Sequence, residues 1–319
     1  MKNILLLISL LCSLPVSAQQ SDTVEHYLTY TGAICKPEES YYYRLAYKEE
    51  GLWKVKLFSI FTQTKEVDGY YETYKNDSFF VEQRMFYHYY PNGKIRQKVR
   101  YVNGLREGVL KGYDSTGRLI DSGFYKKGIP YKLRYKWSDN GSVVFKGVYD
   151  DAGSGIGEEW EYYDNGTLSS FGKTGQKGLK DSVWTYYYIN GKISSQETYF
   201  KDSMIAIVCY NPDGTVSNDE CKPVLPAVST IDISQHLMDY LRYPAEAKDN
   251  NIQGTVTIKF TVKKNGVLSD FIVLGKRIGG GCDEEAVRVM KLMPKWKPGK
   301  MHNRPADIYY TQRVTFRLE

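Results

Sequence analysis

The fold of the middle of the chain is decided by the stretch Tyr89-Tyr90-Pro91-Asn92-Gly93-Lys94-Ile95. The same pattern of two aromatic residues, a spacer, Asn-Gly and a following aliphatic residue returns at residues 162–168 and 187–193. Weaker copies centre on three further glycines, Gly117, Gly141 and Gly214. The six turn glycines follow one another at intervals of 24, 24, 25, 25 and 23 residues, and such a period indicates a repeat architecture.

Each repeat is predicted to contain two short strands and two turns. Asn-Gly between aromatic and aliphatic runs predicts a β-hairpin with a type I′ turn, which needs a positive φ at both central residues. A second corner lies between successive copies, at Asn103-Gly104, Lys127-Gly128, Thr174-Gly175, Lys201-Asp202 and residues 151–153. The chain also has 29 tyrosines, a residue that favours half-buried strand positions. Successive hairpins should therefore extend an antiparallel meander with aromatic residues along one face.

The Tyr-Tyr-x-Asn-Gly core and its spacing resemble MORN-type repeats over residues 86–221. This resemblance implies an all-β antiparallel repeat domain. Its tyrosines are interpreted as packing against the next repeat, and lipid, glycan or protein binding by the repeats is the alternative. Residues 19–85 share the aromatic, strand-like texture without the Asn-Gly spacing, so they are predicted to be a β-rich N-terminal cap or degenerate repeats.

A different pattern begins after Cys221. Residues 222–233 contain Pro223 and Pro226 without periodicity, which is typical of a linker. Ser234 is predicted to cap a helix that buries three apolar residues, Leu237, Met238 and Leu241. Pro244 is predicted to begin a second short helix.

The remaining residues predict a strand pair, a helix and a last strand. Alternation over residues 256–262 indicates a half-buried strand, which Asn265-Gly266 turns into a second strand at 267–274. Three acidic residues then open a helix with a buried stripe of Ala286, Val289, Met290 and Met293. A strand at 307–318 completes a small α+β domain of order α-β-β-α-β.

Several motifs in this order resemble the C-terminal domain of the TonB family, over residues 234–319. They are Tyr243-Pro244-x-x-Ala247, Gly254-x-Val256-x-Ile258, Gly279-Gly280-Gly281-Cys282-Asp283-Glu284-Glu285-Ala286 and Met293-Pro294-x-Trp296-x-Pro298-Gly299. The resemblance implies a protein-binding domain whose final strand receives a short peptide, the TonB box of an outer-membrane transporter, by strand addition. The partner-binding residues it implies are Tyr243, Pro244, Ile308, Tyr309, Tyr310, Thr311, Gln312, Arg313, Val314, Thr315 and Phe316.

The first residues predict export. Lys2 precedes an apolar run over residues 4–14, and small residues end at Ala18, so residues 1–18 are interpreted as a signal peptide cleaved after Ala18. The mature protein is then expected in the periplasm, and retention of the segment as an inner-membrane anchor is the alternative. Export permits disulfides, and Cys209 with Cys221 is the candidate pair, although connectivity does not follow from sequence.

The sequence predicts no enzyme: no catalytic residue, cofactor or metal site is indicated, because the four histidines are scattered and lack partners at ligand or triad spacing. The net charge of +6 comes with no nucleic-acid motif. The leading hypothesis is a periplasmic TonB-family protein that binds outer-membrane transporter peptides and is linked to transmembrane transport. Two alternatives stay open. One is an anchored energy transducer that engages inner-membrane motor proteins, and the other is an envelope scaffold whose repeats bind lipid, glycan or protein.

Overall fold

A computed structural model describes residues 22–275 and 277–318 of the protein. The predicted signal peptide, residues 1–18, lies outside the described residues. The chain falls into two compact units, Met1–Gly157 and Glu158–Glu319. The secondary structure is mostly antiparallel β with few helices. None of the helices in the described part of the chain has the length and apolar character that a membrane crossing needs.

The first unit is an antiparallel ladder in which strands pair with their sequence neighbours, except that β6 pairs with both the short β7 and β8. A 3-10 turn at Pro37–Glu39 follows the first strand. The strands are β1 (Thr23–Leu28), β2 (Tyr42–Glu49), β3 (Leu52–Ser59), β4 (Lys65–Lys75), β5 (Ser78–Tyr89), β6 (Ile95–Val102), β7 (Leu105–Arg106), β8 (Gly108–Tyr113), β9 (Leu119–Lys126), β10 (Ile129–Trp137) and β11 (Val143–Tyr149).

The second unit opens with the last repeats, built from β12 (Gly157–Tyr162), β13 (Leu168–Thr174), β14 (Lys180–Tyr187), β15 (Ile193–Phe200) and β16 (Ser203–Cys209). These strands form a ladder in sequence order, with a 3-10 turn at Gln176–Gly178. Tight packing on the backbone needs glycine at one point. A Cβ on Gly172 would lie 2.1 Å from Cδ2 of the buried Trp184, so only glycine lets the indole settle on this strand.

The turn at the repeated motif differs from the predicted type. In the first copy the amide of Gly93 donates to the carbonyl of Tyr90 at 2.9 Å, and the positive φ of +79° falls on Gly93. This is a type I turn followed by a glycine bulge, which also matches the strand twist. The type I′ geometry instead occupies the second corner, where both Asn103 (φ 50°) and Gly104 (φ 75°) are left-handed. All six turn glycines have a positive φ and close the same hydrogen bond.

Successive repeats are joined by the second tyrosine of the motif. The hydroxyl of Tyr90 donates to the carbonyl of Tyr113 at 2.9 Å, that of Tyr163 to Tyr187 at 2.6 Å, and that of Tyr188 to Tyr210 at 2.8 Å. Each bond spans 22 to 24 residues, which is one repeat. These tyrosines therefore contact the neighbouring repeat, as the packing interpretation expected.

The C-terminal domain contains a three-stranded sheet of order β19-β18-β22. Its buried core includes Ile258, Phe260, Ala286, Met290 and Val314. Its elements are β17 (Val224–Leu225), α1 (Ile233–Tyr240), α2 (Ala245–Asp249), β18 (Gly254–Val262), β19 (Leu268–Leu274), α3 (Cys282–Lys291), β20 (Lys300–Met301), β21 (Arg304–Pro305) and β22 (Ile308–Phe316).

Three details of the predicted helices are wrong. Asp232, and not Ser234, caps α1, because its carboxylate accepts a 3.0 Å hydrogen bond from the amide of Gln235. Met238 is 72% exposed, and the buried residue of α1 is His236. Helix α2 begins one residue later than predicted, with Pro244 in an extended conformation at its N-cap.

Residues 222–233 are not a free linker. Val224 and Leu225 pair with Met301 and Lys300 of β20, and the amide of Val228 bonds the carbonyl of Lys297 at 3.0 Å. The β20–β21 hairpin that they meet was absent from the sequence prediction. Its strands are only two residues long, so they carry no periodicity to detect.

Candidate functional site: an edge strand and the hairpin that precedes it

Strand β22 is an edge strand of the C-terminal sheet. Its nine residues pair in unbroken antiparallel register with β18, from Ile308 opposite Val262 to Phe316 opposite Gly254. Within the described residues no second strand pairs with β22. Unpaired amides and carbonyls on such an edge form a template for an added strand. The site implied by the TonB resemblance therefore has backbone groups suited to that binding mode.

The register identifies which residues present their backbone to the free edge. The amide of Lys263 donates to the carbonyl of Val267 at 2.9 Å, so odd-numbered residues of β18 bond towards β19 and even-numbered residues towards β22. Residues opposite one another share parity in this register, as with Val256 and Val314. Even-numbered residues of β22 therefore bond to β18. The residues that turn their amide and carbonyl outward are Tyr309, Thr311, Arg313 and Thr315.

The side chains of β22 alternate in the same way. Tyr309, Thr311, Arg313 and Thr315 are exposed, whereas Val314 and Phe316 are buried in the core. Tyr309 is 69% exposed, and Nζ of Lys259 lies 5.1 Å from the centre of its ring. With Arg313 and Arg317 also exposed, the surface beside the edge is cationic. It favours an acidic partner segment.

Tyr243 and Pro244 lie at the end of β22 and make packing contacts. The Tyr243 ring meets the Phe316 ring edge-on at 5.6 Å, and its hydroxyl donates to the carbonyl of Ile252 at 2.6 Å. Pro244 packs by its Cβ close to the backbone of Gly281. Trp296, from the last of the family-like motifs, is buried and meets Phe260 edge-on at 5.7 Å. Tyr243 thus packs against the last residue of β22.

The glycine-rich segment before α3 shapes the backbone. Gly279, Gly280 and Gly281 all have positive φ, and the buried carboxylate of Asp283 accepts a 2.9 Å hydrogen bond from the amide of Gly279. The carboxylate of Asp283 thus binds the amide at the start of the glycine-rich segment. Burial raises the pKa of the Cys282 thiol, and the charges of Asp283 and its two acidic neighbours raise it further. Cys282 therefore has the properties of a buried packing residue.

The β20–β21 hairpin, residues 300–305, docks on the last repeats. Nδ1 of His302 lies 2.7 Å from Oε1 of Glu197, and its ring stacks on Tyr186 with centroids 3.6 Å apart. Glu197 is fully buried and also accepts hydrogen bonds from Tyr199 at 2.6 Å and Ser195 at 3.1 Å. Burial raises the pKa of Glu197, but the hydrogen bonds from His302 and Tyr199 outweigh it, so the net pKa is lowered.

The next two hairpin residues bind equivalent places in two successive repeats. Nδ2 of Asn303 donates to the Tyr210 carbonyl at 2.7 Å and to the Tyr188 hydroxyl at 3.1 Å. Nη1 of Arg304 donates to the Tyr187 carbonyl at 3.1 Å and to the Tyr163 hydroxyl at 3.0 Å. Asn303 also reaches the carbonyl of Ser194 at 3.4 Å, and Arg304 that of Ser169 at 3.1 Å. The hydroxyls of Tyr163 and Tyr188, which bridge successive repeats, therefore also accept from the hairpin.

This junction was missed from the sequence, although one signal pointed to it. Gly123, Gly147 and Gly172 each lie six residues after a turn glycine, and Glu197 is the residue at that position in the following repeat. A carboxylate at a buried repeat position needs donors or a cation to stabilise its charge, and one of them can come from outside the repeat. His302 is that partner.

Cys209 and Cys221 form a disulfide with their Cα atoms 5.7 Å apart. It ties the end of β16 to a residue three positions before β17. Cys35 and Cys282 are free thiols. Among the described residues, no cluster of three or more His, Cys, Asp or Glu side chains could hold a metal ion.

Comparisons with known proteins bear on the C-terminal domain. No curated protein matches the chain significantly. Among solved structures, one chain of the crystal structure of a GtfA/B complex bound to UDP and GlcNAc aligns at 12% identity and a TM-score of 0.18. That alignment covers 52% of this chain and only 29% of the other, and its TM-score is too low to carry an argument. Residues 239–318 match the family model of the Gram-negative bacterial TonB protein C-terminal, and this match supports membership of the C-terminal domain in the TonB family.

Proposed function

We propose that this protein is a cell-envelope peptide-binding protein of TonB type, which engages outer-membrane transporters by adding a transporter segment to the free edge of β22. The family match suggests a role in energy-coupled transport. The observation that carries the proposal is the one-sided pairing of β22, a nine-residue strand bonded to β18 alone among the described strands.

The partner that suits this edge is an extended, acidic segment. Four outward-facing residues offer amides and carbonyls at every second position, which matches the period of an added strand. Lys259, Arg313 and Arg317 lie on or beside the exposed face of the sheet. Their charge favours an acidic segment and accelerates its encounter with the edge.

The anchored hairpin gives the binding strand a fixed base. Two residues separate Pro305 of the hairpin from Ile308, where β22 begins. Asp307 lies between them and accepts a 2.8 Å hydrogen bond from the amide of Lys264. Force applied to β22 would reach the repeats through this short connection. We therefore propose that the repeats hold the peptide-binding domain in place when force acts on β22.

A direct test is the titration of full-length protein with fluorescent peptides copied from the TonB boxes of outer-membrane transporters. Each peptide is compared with a version N-methylated at every second residue, which removes the donors of one edge. We expect saturable binding that one of the two N-methylation registers abolishes and the other retains. The proposal fails if no peptide binds, or if both N-methylated registers bind as well as the parent.

The alternative of an anchored transducer makes a separate prediction about the N-terminus. Mature protein isolated from envelope fractions is sequenced from its N-terminus. A chain that begins at Gln19 supports the exported adaptor, whereas a retained Lys2 to Leu14 segment supports the transducer that engages an inner-membrane motor.

A further inference from the structure

The pair of places that hold Asn303 and Arg304 is built from repeat positions that recur elsewhere. Each place combines a tyrosine hydroxyl three residues before a turn glycine with a carbonyl four residues before the next turn glycine. Tyrosine occupies the first position in three of the six repeats, at Tyr90, Tyr163 and Tyr188. Tyr163 and Tyr188 receive the hairpin. Tyr90, in the first unit, is the third.

Tyr90 has the same internal bond as its two counterparts. Its hydroxyl donates to the carbonyl of Tyr113 at 2.9 Å, as Tyr163 donates to Tyr187. The hydroxyl oxygen retains the capacity to accept a hydrogen bond, which Tyr163 and Tyr188 use towards the hairpin. The tyrosine hydroxyl and the neighbouring carbonyl of the hairpin site are thus present a second time, whereas Arg96 stands at the repeat position of Ser169, whose carbonyl and hydroxyl accept from Arg304.

Beside Tyr90 the structure has a cavity of about 330 Å³. The reason for the space is a single substitution within the repeat. Gly112 lies five residues before its turn glycine, where Tyr186 stands in the later repeat and fills the volume under the hairpin. The cavity is lined by Tyr90, Gly112, Tyr113 and Asp121 together with His88 and Arg96.

The carboxylate of Asp121 favours an N–H donor in the cavity, which the guanidinium of Arg96 also lines. Oδ1 of Asp121 is buried and has no hydrogen-bond partner among the described residues, while its other oxygen lies 3.8 Å from Nη2 of Arg134. A buried acceptor without a donor is costly, so a ligand that supplies one is stabilised there. Burial lowers the pKa of His88 and the charge of Arg96 lowers it further, so His88 adds no second positive charge at neutral pH.

We propose that this cavity, the Tyr90 site, binds a planar N–H-donating side chain, arginine or asparagine, on an extended segment of a partner protein. The group donates to the Tyr90 hydroxyl, the Tyr113 carbonyl and Asp121. In the second unit the protein's own hairpin shows how the same arrangement is filled.

The test uses full-length protein and a cyclised, fluorescent peptide that copies residues 298–307. Binding is measured by anisotropy for the wild type and for Tyr90→Phe and Asp121→Asn, whose folding is checked by thermal melts. Tyr163→Phe is the matched control, because it makes the same change at an occupied site. Peptide versions with Arg304→Leu or Asn303→Ala identify which side chain enters.

We expect saturable binding. Tyr90→Phe and Asp121→Asn should each weaken the affinity on the order of tenfold, because each removes one hydrogen bond to a charged or buried group. Tyr163→Phe should leave the affinity unchanged, and one of the two peptide substitutions should abolish binding. Absence of detectable binding at peptide concentrations up to about 1 mM overturns the proposal. Equal affinity for the wild type and both Tyr90-site variants overturns it as well.

Discussion

Nδ1 of His302 and Oε1 of Glu197 lie 2.7 Å apart, although 105 residues separate them in the chain. The contact joins the hairpin before β22 to the last repeats. Because Glu197 is fully buried, its charge depends on the donors that surround it. The junction is therefore a defined attachment between the two parts of the second unit, and its strength is measurable.

Removal of His302 should destabilise the second unit, and the size of this loss should depend on whether Glu197 is present. His302→Ala leaves the Glu197 carboxylate with two donors instead of three, and we expect a loss of about 1–3 kcal/mol in the free energy of unfolding. In a double-mutant cycle with Glu197→Gln the two losses should not add. Urea unfolding followed by tryptophan fluorescence is the measurement, since Trp184 packs in one cluster with Tyr186 and Tyr199 beside the junction. Additive losses would contradict a direct interaction.

The contribution of Glu197 should depend on pH in a predictable direction. Its folded pKa is lowered below the ordinary value of 4.5, so the ionised form is favoured by folding. The stabilisation is therefore present above pH 4.5 and is lost as the pH falls through the folded pKa. The stability difference between the wild type and Glu197→Gln should persist at about pH 5 and shrink below it. A difference that grows on acidification below pH 4.5 would contradict this assignment.

Loss of the disulfide should loosen the connection between the repeats and the C-terminal domain. Cys209 and Cys221 close a loop with a sequence separation of 12, for which a stabilisation of about 2–4 kcal/mol is typical. The double variant Cys209→Ser/Cys221→Ser should unfold at a lower urea concentration than the oxidised wild type. Its unfolding midpoint should match that of the wild type whose disulfide has been reduced. Cys35→Ser, which changes a free thiol, serves as the control. Equal stability of the double variant and the oxidised wild type would contradict the prediction.

Local patterns in the sequence anticipated those parts of the fold that depend on local geometry. The spacing of six glycines predicted the hairpins, because a turn position with a positive φ favours glycine. The alternation of apolar and polar residues from Val256 to Val262 predicted β18, because successive side chains of a strand point to opposite faces. The turn type was wrong, since Asn-Gly occurs both in type I′ turns and next to a glycine bulge.

Long-range contacts could not be read in this way. His302 and Asn303 belong to a hairpin with two-residue strands, and neither carries a pattern that points to Glu197 or Tyr188. Met238 fitted the helical spacing of α1, but the partner surface selects His236 instead, whose Nε2 lies 3.0 Å from the carbonyl of Val289. The edge position of β22 likewise depends on strand order, which is a tertiary property.

Thr311 allows the sharpest test of whether a partner segment pairs with the outward backbone of β22. Its amide faces the free edge, so Thr311→Pro removes a donor for the added strand without breaking a bond to β18, and proline is tolerated at such positions. Thr311→Ala is the matched control because it removes the side chain and keeps the amide. Affinity for a TonB-box peptide that binds the wild type is measured for all three proteins by anisotropy. We predict that Thr311→Pro weakens binding on the order of tenfold or more while Thr311→Ala stays near the wild type. Equal binding by Thr311→Pro and the wild type would contradict strand addition at β22.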